Sequence, residues 1–231
     1  MKTAYAQMKI SAGHPDINTK KILHFIDEAR AQGADIIIFP ELAVSGKMLG
    51  ETREQELFLR ECERCGEEII AASKDIVVAF GNISVDWREK INGKYFKYDA
   101  LFFARDGKVI AKVNDSGEFD IYLGNKKYWL GYACGNASFD YRSDFCINVS
   151  AAPFSFGKKI RNEKISAQFP VIQVGCVGIQ NIGKTIYAFD GGSAVFNSRG
   201  EVVQRIESFT EGLNFVELDE IDKMPALELD D

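Results

Sequence analysis

Three residues of complementary chemistry stand at the ends of predicted β-strands. Glu41 directly follows the apolar run "ADIIIFP", Lys112 ends "KVIAK", and Cys134 ends "YWLGYAC". Residues at strand ends can meet at one edge of a sheet system even when they are far apart in sequence. Taken singly, each also has a plain structural reading: a loop acid, a solvated strand end, and the last buried residue of a strand.

Together, a carboxylate, an ammonium and a thiol can hydrolyse an amide through a thioester. A carboxylate whose pKa is raised by desolvation can take the thiol proton and later pass it to the leaving amine. A lysine can stabilise the oxyanion of the tetrahedral intermediate. The set therefore predicts a cysteine-dependent amidase, and no cofactor is expected.

Other catalytic chemistries find little support in the sequence. Only two histidines, His14 and His24, are present, which disfavours Ser-His-Asp, Cys-His and histidine-rich zinc sites. The stretch "GIQNIGKT" fits the phosphate-binding pattern G-x-x-x-x-G-K-[ST], but "IYAFDGGS" follows it where a helix is required. The "CERC" spacing of Cys62 and Cys65 lies within a helical pattern and has no second pair, so packing is the favoured reading.

Composition narrows the class of protein. The 231 residues are 46% hydrophobic with a formal net charge of -6, which favours a globular chain and disfavours nucleic-acid binding. No apolar run is long enough for a membrane span, and the N-terminus has no signal-like core. Five cysteines indicate reduced thiols. We expect a cytoplasmic protein with one domain, 1–231, ending in an acidic tail from about 218.

The elements that would position the three residues follow from hydrophobic periodicity. A first strand precedes a helix capped by Asn18 or Thr19, and the buried strand before Glu41 comes next. A helical pattern over 52–73 leads into strands joined by turns, including a type I′ hairpin at "NG", 92–93. A further helix is predicted over 157–168. The order predicts an α/β fold with two mixed sheets packed face to face and helices outside.

Several segments resemble the nitrilase, or carbon-nitrogen hydrolase, superfamily. The first is "GADIIIFPELAVSG", and the others, in chain order, are "YDALFFARDGKVIAK", "LGYAC", "INVSAAPFSFGK" and "FDGGSAVFNSRGEVV". The last two are most similar to the glutaminase domain of glutamine-dependent NAD synthetases. This resemblance implies a four-layer α-β-β-α sandwich.

The resemblance also assigns roles to residues. It implies that Glu41 is the general base, Lys112 the oxyanion stabiliser and Cys134 the nucleophile. It places Phe154, Ser155 and Arg161 at the border of the substrate cleft. The implied substrate is a small-molecule amide, possible partners being a second copy of the chain or a synthetase subunit on another polypeptide.

The sequence departs from the family pattern near two of these positions. Gly135 and Asn136 follow the cysteine where the family has acidic residues, and the loop after Lys112 is shortened. Glu118 is the candidate to replace the glutamate that this loop normally carries. Two functional readings follow: an amidase or glutaminase, and a catalytically impaired relative that acts as a binding or regulatory subunit. Nitrile hydrolysis would use the same residues as the first.

Overall fold

A computed structural model describes residues 1–134, 143–156 and 165–228 and shows an α/β sandwich of two mixed sheets. This confirms the predicted fold class. The first half of the chain contains α1 (Pro15–Ala31), α2 (Glu56–Ala71), β1 (Lys2–Gln7), β2 (Ile36–Ile38), β3 (Val77–Ile91), β4 (Lys94–Arg105) and β5 (Lys108–Val113). The second half contains β6 (Ser116–Leu123), β7 (Lys126–Cys134), β8 (Phe145–Ser150), β9 (Val171–Gly175), β10 (Val177–Ile182), β11 (Thr185–Asp190), β12 (Ala194–Phe196), β13 (Val202–Arg205) and β14 (Gly212–Glu217).

Sheet 1 has the strand order β14-β1-β2-β3-β4-β5. Its centre, β1-β2-β3, is parallel, as expected for the βαβ start of the chain, and β3 to β5 form an antiparallel meander. Asn92 and Gly93 join β3 to β4 with φ angles of 53° and 77°, so the predicted type I′ hairpin is confirmed.

Sheet 2 has the strand order β13-β12-β9-β8-β7-β6. Strands β7, β8 and β9 run parallel, so Cys134 lies beside Val149 at the end of β7. Apolar side chains of both sheets form a shared core that includes Tyr5, Phe103, Leu130 and Ile147. This core holds the two sheets face to face and brings their strand ends together.

Helices α1 and α2 cover the other face of sheet 1. Ile22, Ile26 and Ile69 pack there against sheet residues such as Ile37 and Phe80. The apolar faces follow from helical spacing in both segments. Within the described ranges, helices cover sheet 1 only, and none of these helices has the length and apolar character of a membrane span.

Two local expectations differ from the structure. Helix α1 begins at Pro15, and Asn18 lies inside it, where its side chain bonds to the backbone of Ser11 and Val44. Proline suits the first helical position because its missing N–H has no partner to lose there. Residues 157–164 of the predicted third helix lie outside the described residues, and 165–168 are not helical.

Part of the acidic C-terminal segment belongs to the core. A short 3-10 helix, Leu218–Lys223, buries Leu218 and Ile221 between the sheets, while its acidic residues face outwards. The apolar positions in "LDEIDK" are three apart, so one face of this helix is apolar. Residues 218–223 are therefore anchored.

The segment that fits the phosphate-binding pattern is a β-hairpin. Strands β10 and β11 pair antiparallel, and the turn between them contains Gly183 at a φ of 58°. Thr185 starts β11, at the point where a phosphate-binding loop would lead into a helix. The prediction that this motif is not a phosphate-binding loop is confirmed.

Candidate active site

Glu41 lies in a loop directly after β2, folded tightly over the neighbouring strand. Gly81 of β3 makes this possible, because a Cβ there would lie 2.2 Å from Leu42 N and 2.6 Å from Pro40 O. The Glu41 side chain is 12% exposed, and its Oε2 accepts a 2.9 Å hydrogen bond from the Ala151 N–H, just past the end of β8. The carboxylate therefore connects the ends of strands from both sheets.

Lys47 is the cation that pairs with Glu41. Its Nζ lies 2.6 Å from Glu41 Oε1 and 3.2 Å from Asp99 Oδ2, and Arg53 bonds the other Asp99 oxygen. Burial alone would lower the pKa of Lys47, but the charges and hydrogen bonds of Glu41 and Asp99 outweigh it and the pKa is raised. Lys47 therefore stays protonated between two carboxylates.

A buried amide fixes the loop that carries Lys47. Gln180 Oε1 accepts hydrogen bonds from the backbone N–H groups of Lys47 and Met48, at 2.9 and 3.1 Å. Gln180 belongs to β10 and is 2% exposed. Lys47 is therefore held in place through both its backbone and its side chain.

Cys134 ends β7 with its side chain on the face that packs against sheet 1. Its backbone N–H donates to Asp115 O at 2.9 Å. Desolvation, followed by the negative charges of Glu41, Asp115 and Asp99, raises the pKa of the thiol to about 12, and Lys47 partly opposes them. Cys134 and Glu41 thus lie within electrostatic reach of each other, with the thiol in its protonated form.

Lys112 does not join this group. It pairs with Phe102 across β4 and β5, its Nζ donates to Ser84 Oγ at 3.2 Å, and it faces α2. Its neighbours Ala111 and Val113 face the core between the sheets instead. Alternation along the strand therefore directs Lys112 away from Cys134, which corrects the expected convergence.

Glu118 also lies on the face opposite to Cys134. It stands across from Gly131 in the β6–β7 pair, whereas Phe119 and Tyr132 pack in the core between the sheets together with Cys134. The Glu118 side chain is exposed on the outer face of sheet 2. The expected replacement of a family glutamate by Glu118 is therefore not what the structure shows.

The remaining predicted residues follow β8. Phe154 is 45% exposed, packs edge-on against Phe209 at 5.5 Å, and donates its N–H to Ala188 O at 2.7 Å. Ser155 is exposed in the same segment. The first residue of this segment, Ala151, donates its N–H to Glu41. Arg161 lies outside the described residues.

Sequence reasoning missed Lys47, Asp99 and Asp115. Lys47 follows Gly46, whose φ of 80° turns the loop back towards Glu41. A lysine six positions after the acid, next to a turn glycine, was the available signal. Asp99 and Asp115 have no comparable local signal, because only strand register brings them to the site.

Comparison with known proteins connects this geometry to a family. The family model described as "Carbon-nitrogen hydrolase" matches residues 2–118, just over half of the chain. A glutamine-dependent NAD(+) synthetase of Aquifex aeolicus is 27% identical over 93% of the chain and 41% of its own length. The corresponding synthetase of Acinetobacter baylyi is 24% identical over 98% of the chain and 47% of its own length. The chain thus spans less than half the length of these relatives.

Solved structures share the fold. A glutamine-dependent NAD+ synthetase of Acinetobacter baumannii aligns with a TM-score of 0.78 at 22% identity, over 98% of this chain and 48% of that one. An amidase of Nesterenkonia sp. AN1 aligns with a TM-score of 0.73 at 16% identity, over 96% and 94% of the two chains. The matched family model covers just over half of the chain. The chain belongs to the carbon-nitrogen hydrolase family.

Proposed function

We propose that the protein hydrolyses a small amide through a thioester on Cys134. The observation that carries this is that Glu41 and Cys134 both lie at the end of β8, where Glu41 accepts a hydrogen bond from Ala151 and Cys134 stands beside Val149, with Lys47 paired to Glu41. A carbon-nitrogen bond is the target that the family membership supports. We assign to Lys47 the role of oxyanion stabiliser, which the sequence had predicted for Lys112.

The high pKa of the thiol determines how the first step proceeds. With a pKa of about 12, only about one thiol in 10⁵ is ionised at pH 7, so attack requires a base at the moment of reaction. Glu41 takes the proton as the Cys134 sulfur attacks the amide carbon, and the Lys47 ammonium stabilises the oxyanion. Glu41 then gives that proton to the leaving ammonia or amine.

The same carboxylate serves the second step. Glu41 removes a proton from water, which attacks the thioester carbon, and the returning proton regenerates the thiol as the acid leaves. The Ala151 N–H and Lys47 each hold one Glu41 oxygen, at 2.9 and 2.6 Å. These contacts support one orientation of the base through both steps.

Glutamine is the substrate that we propose first. Relatives named as glutamine-dependent NAD(+) synthetases match almost the full length of this chain while extending well beyond it. In our proposal, this protein would release ammonia from glutamine for a synthetase on another polypeptide. An amidase of the nitrilase superfamily, of which a double mutant was solved in complex with acrylamide, suggests the second class of candidates, small amides.

A second candidate function is a non-catalytic binding or regulatory subunit. Desolvation, together with three carboxylates, raises the pKa of Cys134, and Lys47 is the cation that opposes them. Lys112 and Glu118 lie on other faces of their sheets. These features favour a site that has kept its fold and its cysteine but does not activate the thiol.

Ammonia release distinguishes the two functions. The protein would be incubated with glutamine, asparagine, propionamide and acetamide, and ammonia measured for wild type, Cys134→Ala, Glu41→Gln and the core control Cys146→Ala. The amidase proposal expects turnover of at least one amide that both site variants abolish and the control retains. Turnover that survives Cys134→Ala, or no turnover of any amide, would leave the binding function as the better account.

A further inference from the structure

A second cavity lies on the opposite side of sheet 1 from Cys134. It has a volume of about 210 Å³ and lies between α2 and the face of β3, β4 and β5 that α2 covers. Phe80 and Phe102 stack at 5.3 Å between ring centres on its floor, and Ile70 lines it from the helix. One part of the cavity is therefore apolar and shaped by packed rings.

Lys112 places a positive charge on one wall of this cavity. Its Nζ donates to Ser84 Oγ at 3.2 Å and lies 5.9 Å from the centre of the Phe102 ring. Ser84 is 6% exposed, so the contact holds the ammonium close to the protein surface. Within the described ranges Lys112 forms no salt bridge, and an ammonium with three N–H donors still has donors for a ligand.

Two glutamates place negative charge on the opposite wall. Glu63 and Glu67 are one turn apart on α2, a spacing at which like charges repel. Trp87 donates its indole N–H to Glu63 at 3.0 Å, but neither glutamate forms a salt bridge in the part of the chain that the structure describes. By contrast, Glu61 and Glu68 of the same helix both pair with Arg64.

We propose that this cavity binds a free α-amino acid with an aliphatic side chain. The carboxylate would pair with Lys112, the ammonium with Glu63 and Glu67, and the side chain would cover the partly exposed Ile70 and Phe102. Such a zwitterion matches the separated charges, and its ammonium relieves the repulsion between the glutamates. The volume equals that of about seven water molecules, which suits leucine and excludes a nucleotide. The inference does not depend on the proposed amidase.

Calorimetric titration of the intact protein with L-leucine is the first test. We expect saturable binding to wild type, and equal affinity in Cys134→Ala because the cavity is separated from the thiol by the sheet. N-acetyl-leucine lacks the ammonium and leucinamide lacks the carboxylate, so each should bind about tenfold or more weakly. The comparisons between leucine and its two analogues use the unaltered chain and need no variant to fold.

Variants then test which wall of the cavity binds the carboxylate of leucine and which binds its ammonium. Lys112→Gln should weaken leucine binding about tenfold and leave isopentylamine, which has no carboxylate, unaffected. Glu67→Gln should weaken both ligands, and Lys108→Gln, an exposed lysine of the same strand outside the cavity, should weaken neither. Absence of leucine binding at millimolar concentration would overturn the proposal, and so would leucine binding that Lys112→Gln leaves unchanged.

Discussion

Replacing Lys47 by Gln tests which lysine acts on the Cys134 thiol. Lys47 lowers the pKa of that thiol, whereas Lys112 faces α2 on the other side of the sheet. A nearby cation shifts a thiol pKa by about one unit at most positions of this kind, and Lys47 lowers the pKa of Cys134, so Lys47→Gln should raise that pKa by up to about one unit. Lys112→Gln should leave it unchanged.

The size of the expected effect on alkylation follows from two opposing factors. One unit of pKa lowers the thiolate fraction about tenfold at any pH well below 12, while the more basic thiolate is about threefold more nucleophilic. Alkylation of Cys134 should therefore slow about threefold in Lys47→Gln. Amide turnover should fall further, by about 10² to 10³, because an oxyanion stabiliser is lost as well.

The assay is iodoacetamide labelling between pH 8 and 10, with each cysteine followed by peptide mass spectrometry. The two lysine variants are compared with wild type under identical conditions, and their melting temperatures confirm that both are folded. Equal slowing of Cys134 in Lys47→Gln and Lys112→Gln would refute the assignment of the cation. An unchanged rate in Lys47→Gln would do the same.

Three further predictions test other parts of the account. Asp115→Asn should lower the pKa of Cys134 and speed its alkylation by about threefold, while Asp120→Asn on the outer face of β6 should not, as the same labelling experiment would show. Gly81→Ala should lower the free energy of unfolding by more than about 2 kcal/mol, measured by urea denaturation, because its Cβ would overlap the loop at Glu41; the open-turn control Gly93→Ala should cost about 1 kcal/mol. Burial raises the pKa of the Cys62 thiol from 9.0 to about 12. As pH rises above 9.0, the thiol ionises in the unfolded chain but stays protonated in the folded chain, so the folded state loses stability relative to the unfolded state. Between pH 9 and 11 the unfolding free energy of wild type should fall more steeply than that of Cys62→Ala, by about 1.4 kcal/mol per pH unit, and parallel slopes would contradict this.

Strand ends and tight turns are the features of this fold that could be predicted from the sequence. The buried run before Glu41 and the apolar run before Cys134 predict two strand ends, and core packing between the sheets brings those ends together. The Asn92-Gly93 turn specifies its own hairpin because both residues tolerate positive φ. These features depend on local periodicity, which a sequence displays directly.

Lys112 shows where such reasoning fails. Which face of the sheet it joins depends on the register of β5, and a β-bulge shifts that register opposite Phe103 and Ala104. One extra residue in a strand reverses the face of every residue after it. Lys47 was missed for a different reason: its position depends on Gln180, which is distant in sequence and holds the loop through backbone N–H groups.

In the proposed mechanism, Cys134 is the nucleophile and Glu41 is its base. Fluoroacetamide is a suitable probe, because its acetamide moiety is covalently attached to the active-site cysteine in a solved glutamate-to-glutamine mutant of an amidase of the same fold. Wild type and Glu41→Gln would be incubated with it near pH 7 and the modified peptides located by mass spectrometry. The account predicts an adduct on Cys134 ahead of the other four cysteines, formed more slowly in Glu41→Gln. An unmodified Cys134, or labelling of all cysteines at one rate in both proteins, would contradict it.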